Sequence, residues 1–204
     1  IHQCWRSHKL TDAEGRPTQH LQGLFNRLVA FRASGINLVF VFDGRPHLHA
    51  LKAATQAQRA AVDTDRVDRA AFDDTRTLLG LMGIPYFTAD GEAEAAAAAL
   101  VQTGECDYVA TEDSDAVVFG AQVIRGLNAS GNPITLIDHG EILRALHMSS
   151  EQFVQFAILL GTDYSTRVAG PVTAFKKYSE YSINETVFDY YIDPMSQLPA
   201  IYSI

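Results

Sequence analysis

The chain has 204 residues, is 47% hydrophobic, carries a formal net charge of −8 and contains two cysteines. These values suit one sizeable α/β domain with at most a small appendage, and no apolar run reaches the roughly 18–20 residues needed to span a bilayer. Two cysteines are too few for a disulfide framework, which points to a reducing compartment, and the acidic balance argues against a basic nucleic-acid face unless several acids are cation ligands.

In chain order, Ile1-His2-Gln3-Cys4-Trp5-Arg6 lacks the apolar core of a secretory leader. With no initial methionine and no obvious first strand, we expect a longer parent chain. Leu21, Leu24, Phe25, Leu28, Val29 and Phe31 follow helical periodicity and predict a helix over residues 18–34, with Thr18 as N-cap and Gly35 as stop. Ile36 to Phe42 is an apolar run, interrupted by Asn37, suited to a strand buried on both faces and ended by Asp43-Gly44-Arg45-Pro46. Residues 47–76 are alanine-rich and mix both charges. They read either as a solvated helical face or as a protruding helix that handles a polyanion, with Lys52 and Arg59 seven apart on one face. A helix ends near Met82 at Gly83, and Ile84 to Phe87 reads as a short strand. Glu92 to Val101 reads as a helix opened by Gly91. Asp107–Thr111 and Gln122–Leu127 read as strands, and Ile134–Ile137 pairs with the latter as a hairpin. Glu141–Leu146 is a short helix. Ser149 or Ser150 caps a longer one ending at Gly161, and Gly170-Pro171 starts another through Lys177. From Ser182 onward the chain is aromatic-rich and reads as irregular. Strands alternating with helices predict an α/β fold with a mainly parallel central sheet flanked by helices.

Acids recur where apolar runs stop: Asp43 after the first strand, Glu92 and Glu94 at a helix start, Asp113 and Asp115 after a second strand, and Asp163 after Gly161. In extended backbone Asp113 and Asp115 point to one side and Glu112 to the other. Glu92 and Glu94 share a site only if Glu92 lies at or just before the helix start, where the helix dipole also favours an acid. Carboxylates clustered at the ends of buried elements are costly unless cations neutralise them. An all-oxygen set without cysteine or histidine favours Mg²⁺, or Mn²⁺ in its place, over Zn²⁺. Two such ions suit in-line hydrolysis of a phosphodiester. No GxGxxG fingerprint, P-loop, Gly-x-Ser-x-Gly elbow or Cys/His zinc pattern is present, and His2, His8, His20, His47, His49, His139 and His147 read as ordinary surface or core residues.

Five segments in order, Val41-Phe42-Asp43-Gly44-Arg45-Pro46, Leu81-Met82-Gly83-Ile84-Pro85-Tyr86, Gly91-Glu92-Ala93-Glu94-Ala95, Ala110-Thr111-Glu112-Asp113-Ser114-Asp115 and Ile158-Leu159-Leu160-Gly161-Thr162-Asp163-Tyr164, resemble the flap endonuclease/XPG family of structure-specific 5′ nucleases. The resemblance covers residues 1–188 and leaves 189–204 as a tail without an assigned role. It implies a PIN-like 5′ nuclease fold with a helical arch over about 47–70 and a helix–two-turn–helix over about 163–180. It also implies a further N-terminal strand with an aspartate ahead of Ile1. Asp43, Glu92, Glu94, Asp113, Asp115 and Asp163 would hold two Mg²⁺ ions. Lys52 and Arg59 would steady the scissile phosphate, and Lys176 and Lys177 would grip duplex phosphates beside a K⁺ site. The implied activity is hydrolysis of branched or flapped DNA as a flap or junction endonuclease, with 5′ exonuclease action. A sliding clamp or other repair factors are the implied partners, and the implied state is an intracellular monomer, nuclear if eukaryotic. The alternative is a pseudonuclease that uses the same fold as a nucleic-acid or protein interaction module.

Overall fold

A computed structural model describes residues 11–15, 18–45, 52–53, 69–127, 133–180 and 185–199. These residues fall into two compact units. One contains 11–15, 18–40 and 69–87, and the other contains 41–45, 52–53, 88–127 and everything described from 133 onward.

In the first unit, helix α1 (Gln19–Ala33) packs on helix α2 (Arg69–Leu81). Leu24 and Leu28 from α1 and Ala71, Thr75 and Leu79 from α2 are buried. The Thr75 hydroxyl donates to the Ala71 carbonyl at 2.7 Å, which meets its hydrogen-bonding need inside the core. Thr18 occupies the N-cap position of α1, but its side chain makes no capping bond.

Strands β1 (Phe40–Phe42) and β2 (Tyr86–Thr88) form a two-stranded sheet. The Phe40 amide donates to Pro85 O (3.0 Å) inside the first unit, and the Ala89 amide donates to Phe42 O (2.9 Å) inside the second. The expected strand over Ile36–Phe42 is corrected: only its last three residues are a strand, and Ile36 and Val39 are exposed. An apolar run marks burial potential, but a strand extends only as far as its neighbour pairs with it.

The second unit holds a three-stranded sheet of β3 (Val109–Ala110), β4 (Val123–Arg125) and β5 (Thr135–Ile137). The β3–β4 pair is parallel and the β4–β5 pair is the expected antiparallel hairpin. Against it lie helices α3 (Ala93–Gln102), α4 (Asp115–Val118), α5 (His139–Leu146) and α6 (Ser150–Leu160). Ala95, Ala96, Ala98 and Ala99 of α3 are fully buried, and their small side chains let neighbouring elements approach closely. After α6 come α7 (Pro171–Lys177) and α8 (Glu185–Ile192). The expectation of an irregular segment after Ser182 is corrected by α8, which places Val187, Tyr190 and Tyr191 in the main core. A 3₁₀ turn, Pro194–Gln197, then packs on α3, and Gln197 O accepts from the Asp90 amide at 3.1 Å. The apolar spacing of Val187, Tyr190 and Tyr191 is i, i+3, i+4, a helical signal hidden by the high aromatic content.

The arch expected over 47–70 lies outside the described residues except for Lys52, Ala53, Arg69 and Ala70, which are helical. Ser149, not Ser150, caps α6. Its hydroxyl accepts from Gln152 N, while the Gln152 side chain accepts from Ser149 N, a complete capping box. Ser149→Ala should therefore lower stability in urea unfolding by about 1–2 kcal/mol. Ser150→Ala, at the first helical position, should change it by less than about 0.5 kcal/mol.

Candidate metal centre

Each acid reaches the centre because an element ends beside it. Asp43 follows β1 directly. Gly44 next to it donates its amide to Gly91 O at 2.7 Å, and a Cβ there would sit 1.9 Å from Ala89 O, so only glycine permits this approach. Glu92 is the N-cap of α3 with extended backbone (φ −83°, ψ 138°), and Glu94 lies in the first turn. This is the placement that lets both acids face one site despite the 100° per residue of a helix. Asp43 Oδ1 accepts from the Ala93 amide at 2.9 Å, so the helix start holds that carboxylate as well.

Asp113 and Asp115 do reach one cleft, but not by strand alternation. β3 ends at Ala110, Asp113 Oδ1 accepts from the Asp115 amide (3.0 Å), and Asp115 is the first residue of α4. The turn does what extended backbone was expected to do. Glu112 points elsewhere, accepting from Gly126 N at 2.7 Å and lying 3.5 Å from Arg125 Nε. Asp163 follows Gly161, whose φ of +94° turns the chain off α6. A side chain at Gly161 would come within 3.0 Å of Arg167 N.

The result is a cleft of about 200 Å³ lined by Asp43, Lys52, Glu92, Glu94, Asp113, Asp115, Phe119, Asp163 and Tyr164, all within the second unit. Six carboxylates face one ammonium. Lys52 Nζ donates to Glu92 Oε2 and lies 5.8 Å from the centre of the Tyr164 ring. Burial works against the Lys52 ammonium, but the Glu92 hydrogen bond and the charges of Glu92, Asp163 and Asp43 outweigh it, so its pKa is raised. Burial, reinforced by Asp43, Asp113 and Glu92, pushes the Glu94 carboxyl up to about 7. Burial, with Asp113 and Asp163, pushes Asp115 up to about 6 against the opposing pull of Tyr191 and Lys52.

The residues fit divalent cations. Asp43, Glu92 and Glu94 each present an oxygen within 4.8 Å of the other two. All candidate donors are carboxylate oxygens, the ligands that hard cations take. The buried hydroxyls of Tyr164 and Tyr190 lack an aligned hydrogen-bond partner, although Tyr164 lines the cleft and both rings feel the Glu92 charge. Hydrated ions would answer both the charge excess and the unmet hydroxyls.

Lys176 and Lys177 do not line this cleft. They are exposed at the end of α7, and Lys177 Nζ lies 3.6 Å from Glu180. Arg59 lies outside the described residues. Sequence reading missed Phe119 and Tyr164 as lining residues and Tyr191 as a partner of Asp115, to which its hydroxyl donates at 2.7 Å. Tyr164 directly follows Asp163 and was open to notice. The Tyr191 contact spans 76 positions and left no local signal.

A sequence model of the XPG N-terminal domain matches residues 1–66, and one of the XPG I-region matches 83–163. The chain is 36% identical to Flap endonuclease 1-2 of Paramecium tetraurelia over 210 residues, covering 89% of this chain and 53% of that protein. It is 38% identical to Flap endonuclease 1 of Homo sapiens over 208 residues, covering 87% and 55%. Among solved structures, the catalytic core of Rad2 in complex with DNA substrate is similar at a TM-score of 0.69 and 31% identity, covering 93% of this chain and 60% of that one. The chain belongs to the flap endonuclease/XPG family, and it spans about half the length of the relatives it matches. Among the described residues no helix is long and apolar enough to cross a membrane.

The raised carboxyls set a pH dependence. Glu94 and Asp115 bind protons more tightly folded than unfolded, so no penalty exists below the unfolded values near 4 and the full penalty is present above the folded values of about 7 and 6. In EDTA the melting temperature should fall between about pH 4 and pH 7, at ~2–4 °C per kcal/mol. Mn²⁺ should recover the loss at the higher pH. An EDTA melting curve that does not fall with pH would contradict the buried like-charge cluster.

Proposed function

We propose that the protein is a metal-dependent, structure-specific 5′ nuclease that hydrolyses phosphodiesters in flapped or branched DNA. The observation that carries this reading is the convergence of six carboxylates and one lysine on a single cleft in a chain of this family. Asp43, Glu92, Glu94, Asp113, Asp115 and Asp163 would hold two Mg²⁺ ions, with Mn²⁺ able to replace them. Bound there, the ions supply Lewis acidity and lower the pKa of water enough for hydrolysis at neutral pH.

The remaining work belongs to the chain. The helix start beneath Asp43 and the turn joining Asp113 to Asp115 pre-set carboxylate positions before any ligand arrives. Lys52 is held on Glu92 by a charge-assisted hydrogen bond. The Lys52 ammonium, lining the cleft with this acid set, would steady a phosphate there, and Arg59 is its expected partner from the arch. Residues about 163–180 form the helix–two-turn–helix, where Lys176 and Lys177 meet duplex phosphates beside a K⁺ site. The nuclease domain extends through residue 199, because α8 and the turn after it pack into the same unit.

Flap cleavage is favoured over junction resolution because the similar relatives named above are flap endonucleases. Their eukaryotic sources support a nuclear location, and a sliding clamp is the expected partner. A pseudonuclease role is disfavoured, since a buried excess of carboxylates is a standing cost unless cations use it.

The test is cleavage of 5′-labelled flap DNA and a four-way junction in Mg²⁺ and in EDTA. Cutting at the single-strand/double-strand junction should require Mg²⁺ and fall more than about 100-fold in Asp115→Asn. Substrate binding should weaken steeply with salt, as phosphate contacts dominate. Lys52→Ala should lose about 100-fold in cleavage while binding Mn²⁺ no more weakly than wild type, since it removes a competitor for Glu92. Equal cutting in EDTA would overturn the metal-nuclease reading, and junction-only cutting would replace flap with junction.

A further inference from the structure

Tyr191 has no part in the chemistry so far, yet its hydroxyl sits on one of the acids. The residue lies on α8, is 1% exposed, and stacks on Phe119 with ring centres 4.6 Å apart and planes at 28°. Tyr190 and Tyr164 meet it edge-on at 5.7 and 6.3 Å. A ring enclosed on these sides has no room to turn away. Its hydroxyl donates to Asp115 Oδ2 at 2.7 Å.

Asp115 needs such a partner. It opens a helix of only four residues, and its second side-chain torsion is of the broad, weakly restrained kind. Its amide is fixed by Asp113 Oδ1, but that bond places the backbone and not the carboxylate plane. Tyr191 engages Oδ2 and so restrains the plane of a carboxylate that lines the cleft. Phe119, the residue on which Tyr191 stacks, itself lines the cleft.

We propose that Tyr191 is a positioning residue for the cation centre, holding the Asp115 carboxylate in its ligating orientation from a ring locked in the core. This inference rests on the metal-nuclease reading of the same cleft. It also gives α8 a role in the site, through a contact 76 positions away in the chain. Partners that orient ligating carboxylates are typically worth about 10–100-fold in metal affinity.

The experiment compares wild type, Tyr191→Phe, Asp115→Asn and the double variant in the full chain. Mn²⁺ binding is followed by calorimetry without DNA, and flap cleavage is followed against Mn²⁺ concentration. Tyr191→Phe keeps the ring and its stacking, and the metal-free melting curve checks that the fold is retained. It should bind Mn²⁺ about 10–100-fold more weakly and need correspondingly more Mn²⁺ for half-maximal cleavage, with most of the rate recovered at saturation. In the Asp115→Asn background, where Asp43, Glu92 and Glu94 still offer a cluster of oxygens, Tyr191→Phe should add no further loss. Unchanged Mn²⁺ affinity in Tyr191→Phe, or the same loss in the Asp115→Asn background, overturns the positioning role while leaving the nuclease reading intact. Absence of Mn²⁺ binding in wild type overturns both.

Discussion

Like charge gathered in a partly buried cleft is the constraint on which the second unit is built. Left to themselves, six carboxylates in one cleft would separate or take up protons, and the raised Glu94 and Asp115 register that tension. The fold overcomes it by giving several of these acids a local partner. Asp43 rests on a helix-start amide, Asp113 on the Asp115 amide, Glu92 on Lys52, and Asp115 on Tyr191. Each partner removes some freedom of its carboxylate without removing its charge. The excess charge is then available to cations, which neutralise it more completely than one lysine can.

The scaffold consequences follow from that demand. Acids must come from several parts of the chain, so elements must end near one point, and tight turns have to deliver them. Gly44 is required because Ala89 O comes within bonding distance of where a Cβ would be, and Gly161 because the chain leaves α6 at positive φ beside Arg167. The alanines of α3 serve the same end. A helix that presents Glu92 and Glu94 at its start must have its body sunk in the core, and small side chains let that happen without displacing its neighbours.

An aromatic layer behind the acids completes the arrangement. Phe119, Tyr164, Tyr190 and Tyr191 are joined by edge-on or stacked pairs into one wall, of which Phe119 and Tyr164 line the cleft. The wall lowers the local dielectric, which strengthens every charge interaction in the cleft and makes an unmatched charge more costly. Its hydroxyls keep it compatible with a hydrated, highly charged neighbour in a way that phenylalanine throughout would not be. The C-terminal segment thus supplies both core and site.

Short-range signals were legible in the sequence by itself. The cap at Ser149 or Ser150, the hairpin of β4 and β5, the start of α3 at Glu92 and the turn at Gly161 each depend on residues close in the chain, and each lies where the pattern put it, with Ser149 as the cap. The six acids were legible for the same reason, as carboxylates where apolar runs stop. Tertiary structure alone decided what those acids meet. It shortened the strand at Ile36–Phe42 to what β2 could pair, joined Asp113 to Asp115 by a turn instead of a strand, set Lys52 on Glu92 across 40 positions, and turned an irregular-looking aromatic segment into the helix that carries Tyr191. The physical reason is range. Caps, turns and periodicity act over a few residues, whereas the contact between Tyr191 and Asp115 exists only because packing brings together segments that share no local pattern.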